Sequence, residues 1–497
     1  MTEKRMRSYP MHIDGVPHEP LDGDWFETED PFMGEAWARV ARGSAKDVDV
    51  AVSAAHAAFT SGPWPRMTRT ERGALLHRLG DAIAAHATEL AETEVRDNGK
   101  LWAEMSGQLS YVPQWFHYFG GLADKVEGAV LPLDKKGFFA YTRKEPVGVT
   151  AIITPWNSPV LLLAWKLAPA LAAGCTVVIK PSEFTSASTL ELVAVLEEAG
   201  LPAGVVNVVT GYGAEVGSPL VEHPLVRKIS FTGSDATGRH INELAARHLK
   251  HVSLELGGKS PNIVFEDADL DSAVNGVVSG IFAATGQTCI AGSRLLVHES
   301  VHDEVVRRVV ELAGTARMGN PRDELTQVGP ITTRPQLAKV LDYIDVARRE
   351  GAHAALGGHR ASRPECGSGW FVEPTIFTGV HNSMRIAQEE VFGPVLAVIP
   401  FADEEEAVAI ANDSRFGLGA GVWTTDIGRA FRMSERVQSG TVWVNTYRAV
   451  SFMAPFGGVK DSGLGRENGA AAIEEYFETK TVWLNTGAPS SNPFVMR

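Results

Sequence analysis

Two residues carry the clearest chemical potential in this chain. Cys289 sits in Thr285-Gly286-Gln287-Thr288-Cys289-Ile290-Ala291-Gly292-Ser293-Arg294, and Glu255 in Leu254-Glu255-Leu256-Gly257-Gly258-Lys259-Ser260-Pro261. The cysteine stands among small and polar residues, after the apolar run 277–284 and before the strand-like stretch 294–298. A thiol at such a junction can be faced by free backbone N–H groups, which favour a thiolate and an adjacent oxyanion. A lone cysteine in a long chain is more often a small buried hydrophobe. The second stretch argues the other way, because it sets a carboxylate beside paired glycines, where the backbone approaches a ligand closely. Brought together by the fold, a thiol nucleophile and a carboxylate base form a covalent-catalysis pair.

The bulk of the chain sets limits on the setting of that pair. Its 497 residues suffice for two or three domains with packed cores. Hydrophobic content of 44% and charged content of 21% are ordinary for a soluble globular protein. A net charge of −14, with Lys and Arg scattered rather than clustered, speaks against a nucleic-acid partner. The N-terminal stretch has no apolar core of signal-peptide length, and the longest apolar run, 160–173, is too short to span a bilayer. The expectation is a cytoplasmic protein without a membrane partner. Three cysteines, an odd count without metal-like spacing, indicate neither a disulfide framework nor a zinc site, so no metal is expected. Cys175, at the head of an apolar strand, reads as core, and Cys366, in a Gly/Pro/Ser-rich loop, has no evident chemistry.

Several elements must position the pair. Residues 1–45 read as extended and turn structure, with Asp14-Gly15 marking a hairpin. Helical spacing over 45–59 and 69–98 ends at Asn98-Gly99, and 101–125 is a third helical stretch whose aromatics read as packing residues. Residues 126–142 suggest a protruding hairpin, and the β-like run 479–485 is a candidate partner for it near Phe138. An exposed aromatic strand is an association hazard unless its edge is covered, so an oligomer is expected. Between 147 and 255, short apolar runs at 149–153, 176–179, 205–209, 228–231 and 252–254 alternate with helical stretches at 159–173, 186–199, 214–220 and 236–249. This alternation predicts a parallel sheet with helices on both faces.

Such sheets bind ligands at the carboxyl ends of their strands. The residues that follow strands are Thr154-Pro155-Trp156-Asn157, Lys180-Pro181-Ser182-Glu183 and Phe231-Thr232-Gly233-Ser234. A dinucleotide suits them: Gly233-Ser234 precedes a helix N-terminus that can hold a pyrophosphate, and Glu183 can accept hydrogen bonds from a ribose diol. No G-x-G-x-x-G follows the first strand; Gly211-Tyr212-Gly213 with Gly217 is a partial echo, and each of these glycines could equally be a plain turn. From Pro261 a second α/β pattern begins: strand 262–265, helix 270–284, strand 294–298, helices 301–313 and 336–350, and strand-helix-strand over 419–444. Glu389-Glu390-Val391-Phe392-Gly393-Pro394 interrupts it with an acidic pair, which by itself reads as a solvated face.

Taken together, Pro155-Trp156-Asn157, Lys180–Glu183, Phe231–Ser234, 254–261, Gly286–Cys289, 389–394 and Pro455-Phe456-Gly457-Gly458 resemble the motifs of the aldehyde dehydrogenase superfamily, in order and over essentially the whole chain. The resemblance implies a non-acylating, NAD(P)-dependent enzyme of α/β class. Its parts would be a Rossmann-like cofactor domain (1–124 and 146–256), an α/β catalytic domain (257–456) and a small β oligomerisation region (125–145 and 457–497). Cys289 would be the nucleophile, Glu255 the general base and Asn157 the side-chain oxyanion donor, with Lys166 and Glu467 relaying protons from the base. The cofactor would lie against Thr154, Pro155, Trp156, Lys180, Ser182, Glu183, Gly213, Phe231, Gly233, Ser234, Leu256, Gly257, Gln336, Lys339, Glu390 and Phe392. Lys180 and Glu183 would take the adenosine ribose, Ser234 a phosphate and Glu390 the nicotinamide ribose. NAD is expected over NADP, because Glu183 would repel a 2′-phosphate, with Lys180 partly offsetting it. A homodimer or homotetramer is implied.

The same resemblance lines the aldehyde tunnel with Ser158, Leu162, Trp165, Ala283, Thr288, Ile290, Val450 and Phe456. Relatives carry bulky aromatics where this chain has Ser158, Ala283 and Val450, which predicts a wide, mostly apolar tunnel and a bulky aromatic or medium-to-long aliphatic aldehyde. Arg448 is the alternative: turned into the tunnel mouth it would favour a semialdehyde, and otherwise it makes a surface or interface ion pair. Acylating relatives that pass the thioester to coenzyme A generally lack the base, and Glu255 is present here. A cofactor-independent cysteine esterase or hydrolase would leave Lys180, Glu183, Ser234 and Glu390 without a role. An inactive structural relative has no reason to keep Cys289, Glu255 and Asn157 together.

Overall fold

Two parallel sheets dominate the computed structural model, which describes residues 6–487 and 494; the region expected at 457–497 thus lies partly outside the described residues. The first sheet has the strand order Gly463–Leu464, His251–Glu255, Val226–Thr232, Val149–Ile153, Thr176–Lys180, Val206–Val208, Met11–Ile13, Val16–His18. Its inner five strands are parallel, and antiparallel pairs close both ends. Val149–Ile153 and Thr176–Lys180 are buried along their whole length, which is why they read as unbroken β-branched runs rather than alternating ones. Asp14 and Gly15, both at positive φ, make the turn between Met11–Ile13 and Val16–His18.

The second sheet runs His353–Leu356, Thr375–Thr378, Val395–Phe401, Arg294–His298, Pro261–Val264, Gly419–Trp423, Thr441–Val444, parallel except for its first strand. The helix Pro159–Ala173 starts with Pro at its first position, where the missing N–H costs nothing, and stops at Gly174 in the left-handed region (φ 99°).

Three expectations need adjustment. The 69–98 stretch is two helices, Arg69–Ala85 and Ala87–Asn98, broken at His86. The 101–125 stretch is Trp102–Tyr111 and Pro113–Leu122, because Pro113 has no N–H to continue the ladder. The 126–142 hairpin is only a single bridge, Val130 to Tyr141. The long strand Phe138–Pro146 pairs, as expected near Phe138, with the run at the chain's tail, Phe477–Asn485, in unbroken antiparallel register. Among the described residues no helix is long and apolar enough to cross a membrane, and no cluster of His, Cys, Asp and Glu is arranged to hold a metal.

Candidate active site

The segment ahead of Cys289 is held in an uncommon backbone conformation. After the helix Leu270–Phe282, Ala284 (φ 52°), Thr285 (φ 55°) and Gly286 (φ 68°) are all left-handed. Such a run persists only when neighbours over-determine it. Ala284 N–H donates to Glu104 Oε1 at 2.6 Å, and Thr285 Oγ1 donates to Gly329 O at 3.2 Å. A Cβ at position 286 would collide with Gly393 O, so only glycine fits. Gln287 is tied on both sides of its amide, to Pro330 O (3.2 Å) and to Thr332 N–H (2.9 Å). Asn157 Nδ2 donates to Gln287 O at 3.0 Å, which sets the amide beside the cysteine with a second N–H left over.

The base side is dry. Glu255 ends the strand His251–Glu255, second from the edge of the first sheet, and is 4% exposed, and neither carboxylate oxygen has a hydrogen-bond partner. Gly457 packs so close that a Cβ there would lie 2.8 Å from Glu255 Oε1. Burial, then the nearby Glu467, push the Glu255 carboxyl well above the usual range; Lys166 and Arg466 oppose them. Lys166 and Glu467 form a buried ion pair, and Glu467 is fixed by a backbone bridge to Phe456 at 2.7 Å in both directions. The Cys289 thiol is pushed up to about 12 by burial first, then by Glu390 and Glu255. This corrects the expectation that local N–H groups would favour a thiolate. The amides of Cys289 and Ile290 do act in that direction, but burial and two carboxylates outweigh them.

Three cavities form one path. The first, about 450 Å³, is lined by Thr154, Lys180, Ser182, Glu183, Gly213, Phe231 and Ser234 among others. Here Lys180 Nζ donates to Pro181 O at 2.8 Å and to Glu183 at 3.3 Å, and Ser234 caps the helix Asp235–Ala246. The second, about 120 Å³, shares Pro155, Trp156, Gly233 and Ser234 with the first and adds Leu256, Gly257, Gln336, Lys339, Glu390 and Phe392. Glu390 accepts from Gly258 N–H at 3.1 Å, and Gly257 leaves the room its carboxylate occupies. Phe392, at positive φ, meets Trp156 edge to face at 5.2 Å, and Gln336 Nε2 holds the carbonyls of Val391 and Phe392. The third, about 320 Å³, is lined by Ser158, Leu162, Trp165, Thr288, Ile290, Val450 and Phe456, by Arg448, and by six residues the sequence had not marked: Lys100, Gly107, Gln108, Tyr111, Trp115 and Leu161. Asn157, Leu162 and Cys289 line both the second and the third.

A sequence model of the aldehyde dehydrogenase family matches residues 19–482. The chain belongs to the aldehyde dehydrogenase family. It is 45% identical to a (Z)-2-((N-methylformamido)methylene)-5-hydroxybutyrolactone dehydrogenase of Acinetobacter baylyi, over 99% of this chain and 100% of that protein. It is 42% identical to a betaine aldehyde dehydrogenase of Bacillus subtilis, over 95% and 98%. Among solved structures, betaine aldehyde dehydrogenase of Staphylococcus aureus in complex with NAD+ superposes with a TM-score of 0.97 at 40% identity, covering 99% of this chain and 97% of that one. The NAD+ complex of an aldehyde dehydrogenase from Bacillus cereus gives 0.94 at 43%, covering 96% and 97%.

Within this aldehyde dehydrogenase the expected cofactor residues all line the first or second cavity. On the aldehyde side Ala283 is the exception. It precedes the left-handed turn at 284–286 and is not among the residues lining the third cavity. The aromatics of 101–125 were expected to pack only, and Tyr111 and Trp115 also face the cavity. Their spacing with Gly107, four residues apart along the helices, was the one signal available.

Proposed function

We propose that this chain oxidises an aldehyde to the carboxylic acid with NAD as the hydride acceptor, through a thioester on Cys289. The observation that carries this reading is that Cys289 and Asn157 sit where the second cavity meets the third, so a ligand in each would meet at the thiol. The residues suit a dinucleotide: an acidic side chain beside Lys180, and a capped helix N-terminus at Ser234 opening on the same 450 Å³ space. Bound there, NAD supplies a hydride acceptor. Glu183 favours it over NADP, since a carboxylate repels a 2′-phosphate.

The protein's own groups do the rest. Glu255, raised toward the range of a useful base, takes the thiol proton that burial holds on Cys289. The thiolate attacks the aldehyde carbon, and the free N–H of Asn157 with the Cys289 amide stabilises the resulting oxyanion. Once its hydride has left, the carbon is a thioester. The Lys166–Glu467 pair beside the base carries the thiol proton away, and Glu255, ionised again, deprotonates a water that hydrolyses the thioester.

The walls of Leu162, Trp165, Trp115, Ile290 and Phe456 favour a substrate whose body is bulky and largely apolar, each buried methylene contributing about 0.8 kcal/mol. The ribbon of Phe138–Pro146 and Phe477–Asn485 leaves Phe138, Phe139, Trp483 and Leu484 between 42% and 50% exposed, which supports a homodimer or homotetramer. The test is NADH formation across a panel of aliphatic, aromatic and carboxylate-bearing aldehydes, with the acid product identified by mass. No NADH from any of them would overturn the reading.

A further inference from the structure

The third cavity holds cations without counter-ions. Lys100 is 3% exposed and lines it; its Nζ donates to Ser158 Oγ at 2.8 Å, and among the described residues no carboxylate lies within ion-pairing distance of it. Arg448 lines the same cavity from a left-handed backbone position and donates to Ser279 O at 3.1 Å, again with no carboxylate partner. No Asp or Glu lines the cavity. Among the other buried cations, Lys166 and Lys228 are paired with Glu467 and Glu475, while Lys250 and Arg294 make no ion pair among the described residues and donate to backbone carbonyls; what sets Lys100 and Arg448 apart is that they line the cavity at Cys289. A buried ammonium without a counter-ion is costly, and a site that keeps one gains when a ligand delivers the missing charge.

We infer that the aldehyde this enzyme is built for carries a carboxylate, and that Lys100 and Arg448 are the residues that read it. The inference rests on the aldehyde-oxidising reading above and names the substrate class for that site. The apolar walls then hold the body of the substrate between the acid group and the aldehyde carbon at Cys289. Unpartnered polar atoms on the same wall, Gln108 Oε1 and Trp165 Nε1, can serve a polar linker.

The groups facing Lys100 are Glu104 and Glu94, which favour its charge, Arg448, which opposes it, and Cys289. Glu104 accepts from Ala284 N–H and Glu94 from Val160 N–H and Ser188 Oγ, and neither forms an ion pair with the ammonium. Burial lowers Lys100 to about 8. Its charge is therefore present below that pH and lost above it, and selectivity for an acid-bearing aldehyde should fall as pH rises through about 8.

The experiment compares kcat/KM for matched pairs, succinic semialdehyde with butanal and 4-carboxybenzaldehyde with 4-methylbenzaldehyde, with betaine aldehyde as the cationic arm. The expected result is a preference for the acid of about tenfold or more, carried by KM. K100M and R448M should each lower the acid-to-neutral ratio by about tenfold, and K100R should restore it. R448M keeps the test open should the buried substitution fail to fold. Equal rates within the pairs, an unchanged ratio in R448M, or a preference for betaine aldehyde would overturn the inference. No turnover of any aldehyde would overturn aldehyde oxidation itself, and the inference with it.

Discussion

The cleft on the Glu183 side of Cys289 is walled by chain that has just left a parallel strand, while the cavity on the Trp115 side is walled by helix faces and loops. The first side combines backbone, glycines and a helix terminus (Gly233, Ser234, Gly257 and the N-terminus of Asp235–Ala246) with side chains such as Lys180, Glu183 and Glu390. On the second, contacts come from side chains: Lys100, Gln108, Tyr111, Trp115, Trp165, Arg448 and Phe456. Backbone suits a ligand that never changes, because N–H groups and glycine clearances survive most substitutions. Side chains suit a ligand that varies among relatives, because one residue swap reshapes the wall. Proteins 45% and 42% identical to this one are named for quite different substrates, as that difference would allow.

The thiol where the two sides meet gives the largest test. Cys289→Ala should lower turnover by roughly 10⁴ or more while a fluorescence titration finds cofactor binding nearly unchanged; a few per cent of residual turnover would break the assignment. Asn157→Ala removes the tie to Gln287 and the proposed oxyanion donor, and kcat should fall up to about a thousandfold with little change in cofactor affinity. A drop in cofactor affinity alone would instead assign Asn157 to the first side.

Glu255→Gln should cost about a hundredfold in steady state, and stopped-flow should record a slowed burst of NADH followed by a stall at the thioester. In the parent, Glu255 works only when ionised, and its carboxyl is raised, so the rate should fall as pH drops through that raised value. The variant should lose this limb of the profile, and steady turnover at the parental rate would remove Glu255 from the mechanism. The smallest effect belongs to the far end of the cofactor side. Glu183→Gln should narrow the NAD-over-NADP preference by roughly tenfold, about 1.4 kcal/mol. An unchanged ratio would mean that Glu183 does not face the ribose.

What could be read from the amino-acid order was whatever acts over a few residues. Five consecutive β-branched and apolar residues at 149–153 announce a fully buried strand, and Pro159 with Gly174 mark both ends of a helix. Residues that follow such strands must lie at the ligand end of a parallel sheet, so Lys180, Glu183 and Ser234 were legible. The pairing of 479–485 with the Phe138 strand was also legible, since two β-rich runs without other partners remained. Only the tertiary structure decided the rest. Lys100 follows the helix end at Asn98-Gly99 and carries no local signal; in the fold it is a buried cation that donates to Ser158, far along the chain. The resemblance set Ala283 in the tunnel wall, and in the fold it stands before a left-handed turn held by Glu104 and does not line the cavity. The Cys289 thiol reads as activated by its neighbours, and burial with two distant carboxylates holds its proton in place. Propensity and periodicity act through adjacent residues, whereas cavity walls and local dielectric are made by residues that meet only after the chain has folded.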